Sequence, residues 1–108
     1  MRAFSLTRYF GNYDDPNHPG CARVIYDETE TTALLRGADA AGGEGAACDG
    51  TTDVAWGPLN ATIHGNTIIV DFSPKGGPSN LTGVQSSDGN AINWQDGNSW
   101  TLDTTPFP

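Results

Sequence analysis

Residues 59–72 constrain the fold more tightly than any other stretch of the chain. Leu59, Ala61 and Ile63 alternate with polar residues, Gly65-Asn66 follows, and Ile68, Val70 and Phe72 alternate again. Period-two alternation on both sides of a Gly-Asn pair marks a β-hairpin with a two-residue turn of the primed type. In that register Ile63 faces Ile68, Ala61 faces Val70 and Leu59 faces Phe72, and all six share one face. A slip by one residue would turn Thr67 and Asp71 inward, so the pattern itself selects the register.

The rest of residues 59–102 extends this hairpin as a meander. Ser73-Pro-Lys-Gly-Gly-Pro78 breaks the ladder, because two prolines and two glycines in six positions cannot form a strand interior. A short strand around Leu81 and Val84 follows. Ser87-Asp-Gly-Asn90 turns into a strand at 91–95, and Asp96-Gly-Asn98 turns into another at 99–103. For this last hairpin an odd-length loop centred on Gly97 is expected, opposing Trp94 to Trp100 and Ile92 to Leu102. Asp88 and Asp96 each precede a glycine and serve as turn formers. Asp71 points away from the apolar face and is expected to be solvated or paired with Lys75.

Upstream, residues 21–27, alternating around Val24 and Tyr26, and residues 31–36 read as two further strands, the second carrying β-branched threonines and Leu34-Leu35. Val54 to Pro58 brings Trp56 to the core. Residues 37–52 lack periodicity and hold five glycines in sixteen positions, which opposes a helix and points to a surface loop. Residues 1–20 read as a wrapping N-terminal arm with fixed turns, anchored by Tyr9, Phe10 and Tyr13. Residues 21–103 form the β body and 104–108 a tail, all within one domain. The expected fold is therefore all-β: an antiparallel meander of six to seven strands forming a small barrel or a curved two-layer sandwich.

Charge narrows the function. The net charge is −8 and the five basic residues are scattered, so the clustered cations that bind nucleic acid or an anionic membrane are missing. No apolar run is long enough to span a bilayer, so direct membrane insertion is not expected. Residues 1–10 contain no apolar stretch of signal-peptide type. Two cysteines and two histidines occur without metal-ligand spacing, and the Asp-Gly-Asn stretches lack the spacing of a calcium loop. Cys21 and Cys48 either pair as a disulfide or remain as two thiols. The three tryptophans, Trp56, Trp94 and Trp100, either fill the core or line a ligand pocket. Asn60-Ala-Thr62 and Asn80-Leu-Thr82 match glycosylation acceptors, a pattern expected by chance in a chain rich in Asn and Thr. No catalytic motif accompanies His18 or His64, and no enzyme is expected. An enzymatic role would require one of these histidines to meet a carboxylate or a cysteine inside a concavity.

Three stretches carry a resemblance. Gly11-Asn-Tyr-Asp-Asp-Pro-Asn-His-Pro-Gly-Cys-Ala-Arg23, Val70-Asp-Phe-Ser-Pro-Lys-Gly-Gly-Pro78 and Ile92-Asn-Trp-Gln-Asp-Gly-Asn-Ser-Trp100 are together similar to a family of small plastid proteins of red-lineage algae. The family resembles accessory subunits of photosystem I–antenna supercomplexes. The likeness covers roughly residues 9–102 and is weakest over 37–52. It implies a non-enzymatic subunit in the chloroplast, peripheral to the thylakoid membrane, without a cofactor, and docking on larger subunits of a membrane complex. The candidate contacts lie on two proline-set loops, which lose little entropy on binding. They are Tyr9, Tyr13, Asp14, Asp15 and His18 on the first loop, and Pro74, Lys75 and Pro78 on the second. The alternative is a small β-barrel that binds a hydrophobic or carbohydrate ligand through its tryptophans.

Overall fold

The computed structural model describes residues 9–103; the first eight residues of the expected arm at 1–20 and the tail at 104–108 lie outside them. Eight strands close into a single antiparallel barrel, in which each strand is bonded to its neighbour in sequence and β8 returns to β1. The strands are β1 (Gly11–Asp14), β2 (Arg23–Asp27), β3 (Thr32–Asp39), β4 (Val54–His64), β5 (Thr67–Val70), β6 (Leu81–Gln85), β7 (Ala91–Trp94) and β8 (Ser99–Leu102). The fold class is as expected, and the strand count exceeds six to seven by the closing strand. Among the described residues the only helical element is a single 3₁₀ turn, Ser73–Lys75.

The β4–β5 hairpin has the expected register. Ala61 faces Val70, Ile63 faces Ile68, and Asp71 N–H donates to Asn60 O at 3.0 Å, continuing the ladder toward Leu59 and Phe72. All six inward residues are buried. Each Ile, Leu or Val so enclosed contributes roughly 1.5–3 kcal/mol through loss of apolar surface.

The last hairpin departs from expectation by two residues. Ile92 faces Trp100, Asn93 faces Ser99, and Trp94 N–H donates to Asn98 O at 2.8 Å. The loop is odd, as expected, but centred on Asp96. The Asp96 carboxylate accepts the Asn98 N–H at 2.9 Å, and Gly97 takes a φ of 95° and donates to Trp94 O at 3.0 Å. A two-residue shift keeps every side chain on its face. Trp94 and Trp100 therefore still meet, now diagonally, with ring centroids 4.8 Å apart.

Two segments expected to be loops are strands. Gly11–Asp14 is β1, whose first half pairs with β2 and whose second half pairs with β8. Residues 37–39 belong to β3, which continues past an irregularity between Leu35 and Gly37. Gly37 is there for space: a Cβ would strike Ala22 O and approach Trp56 Cζ2 to 2.7 Å.

The core is graded along the barrel. Its middle is aliphatic, with Ile25, Leu35, Leu59, Ile63, Ile68, Val70 and Ile92 fully buried. One end is plugged by Tyr9, whose hydroxyl donates to Gly65 O at 3.1 Å. Tyr13 lies above it and donates to Tyr9 O at 2.7 Å. Burial raises both phenols, with the Asp27 charge adding to the effect, and Tyr9 is pushed up to about 12. The other end is packed by Phe72, Trp94 and Trp100.

Candidate functional site

In an antiparallel barrel, alternate strand ends gather at one rim. Here the ends of β1, β3, β5 and β7 and the starts of β2, β4, β6 and β8 meet at the tryptophan end, with their loops at 15–22, 40–53, 71–80 and 95–98. Cys21 and Cys48 are joined by a disulfide, so the first two loops are tied covalently. Backbone bonds from Gly45 N–H to Asn17 O (2.9 Å) and from Cys48 N–H to Pro19 O (3.0 Å) seat them against each other.

The centre of this end is Arg23. It is the first residue of β2, whose inward face is not the expected one of Val24 and Tyr26, half-buried and exposed, but the alternate one that carries Ile25. The same parity sends the guanidinium into the barrel, where it is 2% exposed. Such a charge is tolerated only when it is paired and fully hydrogen-bonded. Nε donates to Asp15 Oδ2 (3.3 Å), Nη1 to Ala22 O (3.0 Å) and Ala38 O (2.6 Å), and Nη2 to Asp39 Oδ1 (2.9 Å). The cation also lies 5.1 Å from the Trp56 ring centroid and 5.8 Å from that of Trp100.

Asp39 is the second hub. It receives Arg23, Lys75 Nζ at 2.9 Å and Trp56 Nε1 at 3.0 Å. Partial burial would raise its carboxyl, but the bonds from Lys75 and Trp56 and the Arg23 charge outweigh this and hold it at about 2. His18 Nδ1 lies 3.7 Å from Asp39 Oδ1, beyond hydrogen-bond length but within electrostatic reach. Asp15, also buried, ties three strand ends together: it accepts from Arg23, from Asn17 N–H and from Asn98 Nδ2, the last two at 2.9 Å.

Aromatic rings form the floor. Phe72 packs edgewise against Trp56, Trp94 and Trp100, at centroid distances of 6.5, 5.9 and 6.4 Å. Trp94 rests over Gly83, where a Cβ would lie 2.8 Å from Trp94 Cε3. That contact places the benzo edge against β6 and turns the opposite edge, which bears Nε1, away from it. Trp94 Nε1 is buried and has no hydrogen-bond partner. Between floor and loops lies a cavity of about 300 Å³, lined by Asp15, Asn17, His18, Arg23, Glu44, Trp56, Phe72, Lys75, Gly76, Gly77, Pro78, Leu81, Trp94, Asp96, Asn98 and Trp100.

The residues expected on a contact surface are distributed differently. Tyr9, Tyr13 and Asp15 are buried and offer no external surface, because Tyr9 and Tyr13 are core and Asp15 neutralises Arg23. Phe10, expected as an anchor, is 62% exposed and touches Tyr26 on the outer wall, with centroids 5.9 Å apart. Asp14 is exposed on β1. Asp71 does not pair with Lys75: it accepts from Ser73 N–H and Oγ at 2.9 and 2.6 Å, which lowers its carboxyl pKa, while Lys75 lies 4.9 Å over the Trp56 ring. Pro74 and Pro78 are exposed at the rim. His64 is exposed at the opposite end.

His18 lines the cavity and meets a carboxylate, the arrangement an enzymatic role would require. None of the described lining residues is Ser, Thr or Cys. Among the described residues no group of His, Cys, Asp and Glu is arranged to hold a metal, and no helix is long and apolar enough to cross a membrane. The cluster of Asp15, Arg23 and Asp39 went unseen in the sequence. Its only local signal is the parity of Arg23 with Ile25. Residues 11–23, 70–78 and 92–100 all deliver side chains to this one cavity: Asp15, Asn17, His18 and Arg23; Phe72, Lys75 and Pro78; Trp94, Asp96, Asn98 and Trp100. Comparisons with protein-family models, with curated proteins and with solved structures find no match to this chain.

Proposed function

We propose that this protein is a non-enzymatic accessory subunit of a photosynthetic membrane complex, a photosystem I–light-harvesting supercomplex, and that the barrel mouth is the surface through which it is held there. The convergence of the three resembling stretches on one cavity carries this reading. Residues far apart in the chain meet around a concave, aromatic-floored site rimmed by polar groups, the usual form of a recognition site. The disulfide and the ion cluster hold that rim in place before anything binds, which lowers the ordering cost of association. The subunit then sits peripheral to the thylakoid membrane in the chloroplast, against larger subunits, and supports assembly without chemistry of its own.

The test uses the immobilised full chain and mildly solubilised thylakoid membranes of a red-lineage alga. Photosystem I, identified by its chlorophyll spectrum, is expected on the wild-type chain and depleted on an Asp96→Lys/Pro78→Glu rim variant. Recovery of the chain without photosystem I would remove the partner. Equal recovery on the rim variant would remove the mouth as the contact.

A further inference from the structure

We infer that the mouth cavity binds a neutral sugar ring, an inference that rests on the mouth being the working surface. Arg23 is no receptor for a phosphate or carboxylate, since four of its five N–H donors are already bound and Asp15 and Asp39 balance its charge. Lys75 is likewise held by Asp39 at 2.9 Å. A cationic ligand finds Trp56 taken, because Lys75 Nζ and the Arg23 guanidinium lie 4.9 and 5.1 Å from its centroid. The uncompensated carboxylates, Glu44 and Asp96, are exposed, where water weakens their pull on a cation.

A hydrocarbon fits no better. It would cover the polar rim of Asn17, Asp96 and Asn98, a costly way to bury polar groups, and would not supply the acceptor that the Trp94 N–H lacks. What remains is an uncharged ligand with a flat apolar face and several hydroxyls. The C–H face of a pyranose rests on the aromatic floor, one ring or hydroxyl oxygen accepts from Trp94 Nε1, and the other hydroxyls donate to the acceptor-rich rim. That rim also argues against a proline-rich peptide, which offers mostly carbonyl acceptors. A cavity of about 300 Å³ suits a single small ligand. The sugar has two possible sources, a free saccharide or the head group of a glycolipid at a membrane surface.

The experiment follows the Trp94 indole N–H by NMR, and tryptophan emission, in the full disulfide-bonded chain. The probes are methyl galactoside and methyl glucoside, vesicles of phosphatidylcholine with and without monogalactosyl diacylglycerol, inorganic phosphate, tetramethylammonium and a proline-rich peptide. A saturable shift of the Trp94 resonance with a methyl glycoside, or with the galactolipid vesicles alone, is expected. The first outcome identifies free sugar as sufficient and the second the head group. Trp94→Phe keeps a ring but removes the donor, and should weaken binding roughly three- to tenfold. Tyr9→Phe, at the far end, should leave it unchanged. A shift produced only by phosphate, tetramethylammonium or the peptide, or sugar binding indifferent to Trp94→Phe, overturns the inference. If no glycoside or galactolipid binds while the rim variant still loses photosystem I, the sugar fails and the mouth stands. If sugar binds but photosystem I is captured equally by the rim variant, the docking role fails alone.

Discussion

The two ends of the barrel are made from the same strands and solve different problems. At one end the connections are tight: the turns at 28–31, 65–66 and 86–90 are closed by local bonds, such as Thr29 Oγ1 accepting from Thr32 N–H at 3.0 Å and the Asp88 carboxylate accepting from Asn90 N–H at 2.9 Å. Tyr9 fills that opening and its hydroxyl is bonded. At the other end long loops are held by a disulfide and an ion cluster, a cavity remains, and both buried side-chain atoms without a hydrogen bond, His18 Nδ1 and Trp94 Nε1, are found there among the described residues. Buried polar atoms are normally satisfied, so their concentration at one rim separates a filled end from an open one.

This contrast breaks most readily at Asp15. Asp15→Ala leaves a buried guanidinium with half its compensation and frees Asn98 and the 15–22 loop, and should cost about 3–5 kcal/mol in denaturant unfolding. A loss below about 1 kcal/mol would mean that Asp39 alone suffices. Replacing Cys21 and Cys48 together by Ala opens a crosslink spanning 27 positions and should cost about 3–4 kcal/mol. Hydrogen exchange should then quicken at 15–22 and 40–53 but not at 65–66; uniform quickening would show that the ends are not independent. Gly83→Ala pushes a methyl into Ile92 and Trp94 and should cost about 1–3 kcal/mol with a shift in tryptophan emission. Tyr9→Phe, at the closed end, should cost about 1 kcal/mol and leave that emission unaltered.

The gentlest probe is pH. The Asp39 carboxyl is depressed from 3.8 to about 2 in the folded protein, so its contribution is present above 3.8 and is lost as pH falls toward 2. Tyr9 is raised from 10.0 to about 12, so its contribution is full below pH 10 and is lost as pH rises toward 12. Acid should therefore loosen the open end and base the closed end, read by hydrogen exchange at the two sets of loops.

How much of this was visible in the sequence depended on distance along the chain. The β4–β5 hairpin was legible because its turn and its alternation are both local, and an error by one residue would have been costly. The β7–β8 hairpin was legible only in parity: a shift by two residues keeps Trp94 and Trp100 inside, so burial cannot choose between the two pairings. Strand β1 escaped because Gly11-Asn-Tyr-Asp14 is written in turn residues and becomes a strand only when β2 and β8 arrive on either side. Gly37 resembled a loop glycine, yet it clears room for Trp56. The ion cluster was hidden for the same reason. Asp15, Arg23 and Asp39 are spread over three segments, and scattered charge looks like surface charge until a fold collects it.

The four residues of β1 do more than complete a count. They supply the partner to both free margins of the sheet, through Gly11 and Asn12 on β2 and Tyr13 and Asp14 on β8. Among the described residues the sheet therefore closes on itself and leaves no edge strand for another chain to extend. The same economy is a vulnerability. Peeling away this short segment would uncover two templating edges at once, on β2 and on β8, so closure of the sheet hangs on one of the shortest strands among the described residues.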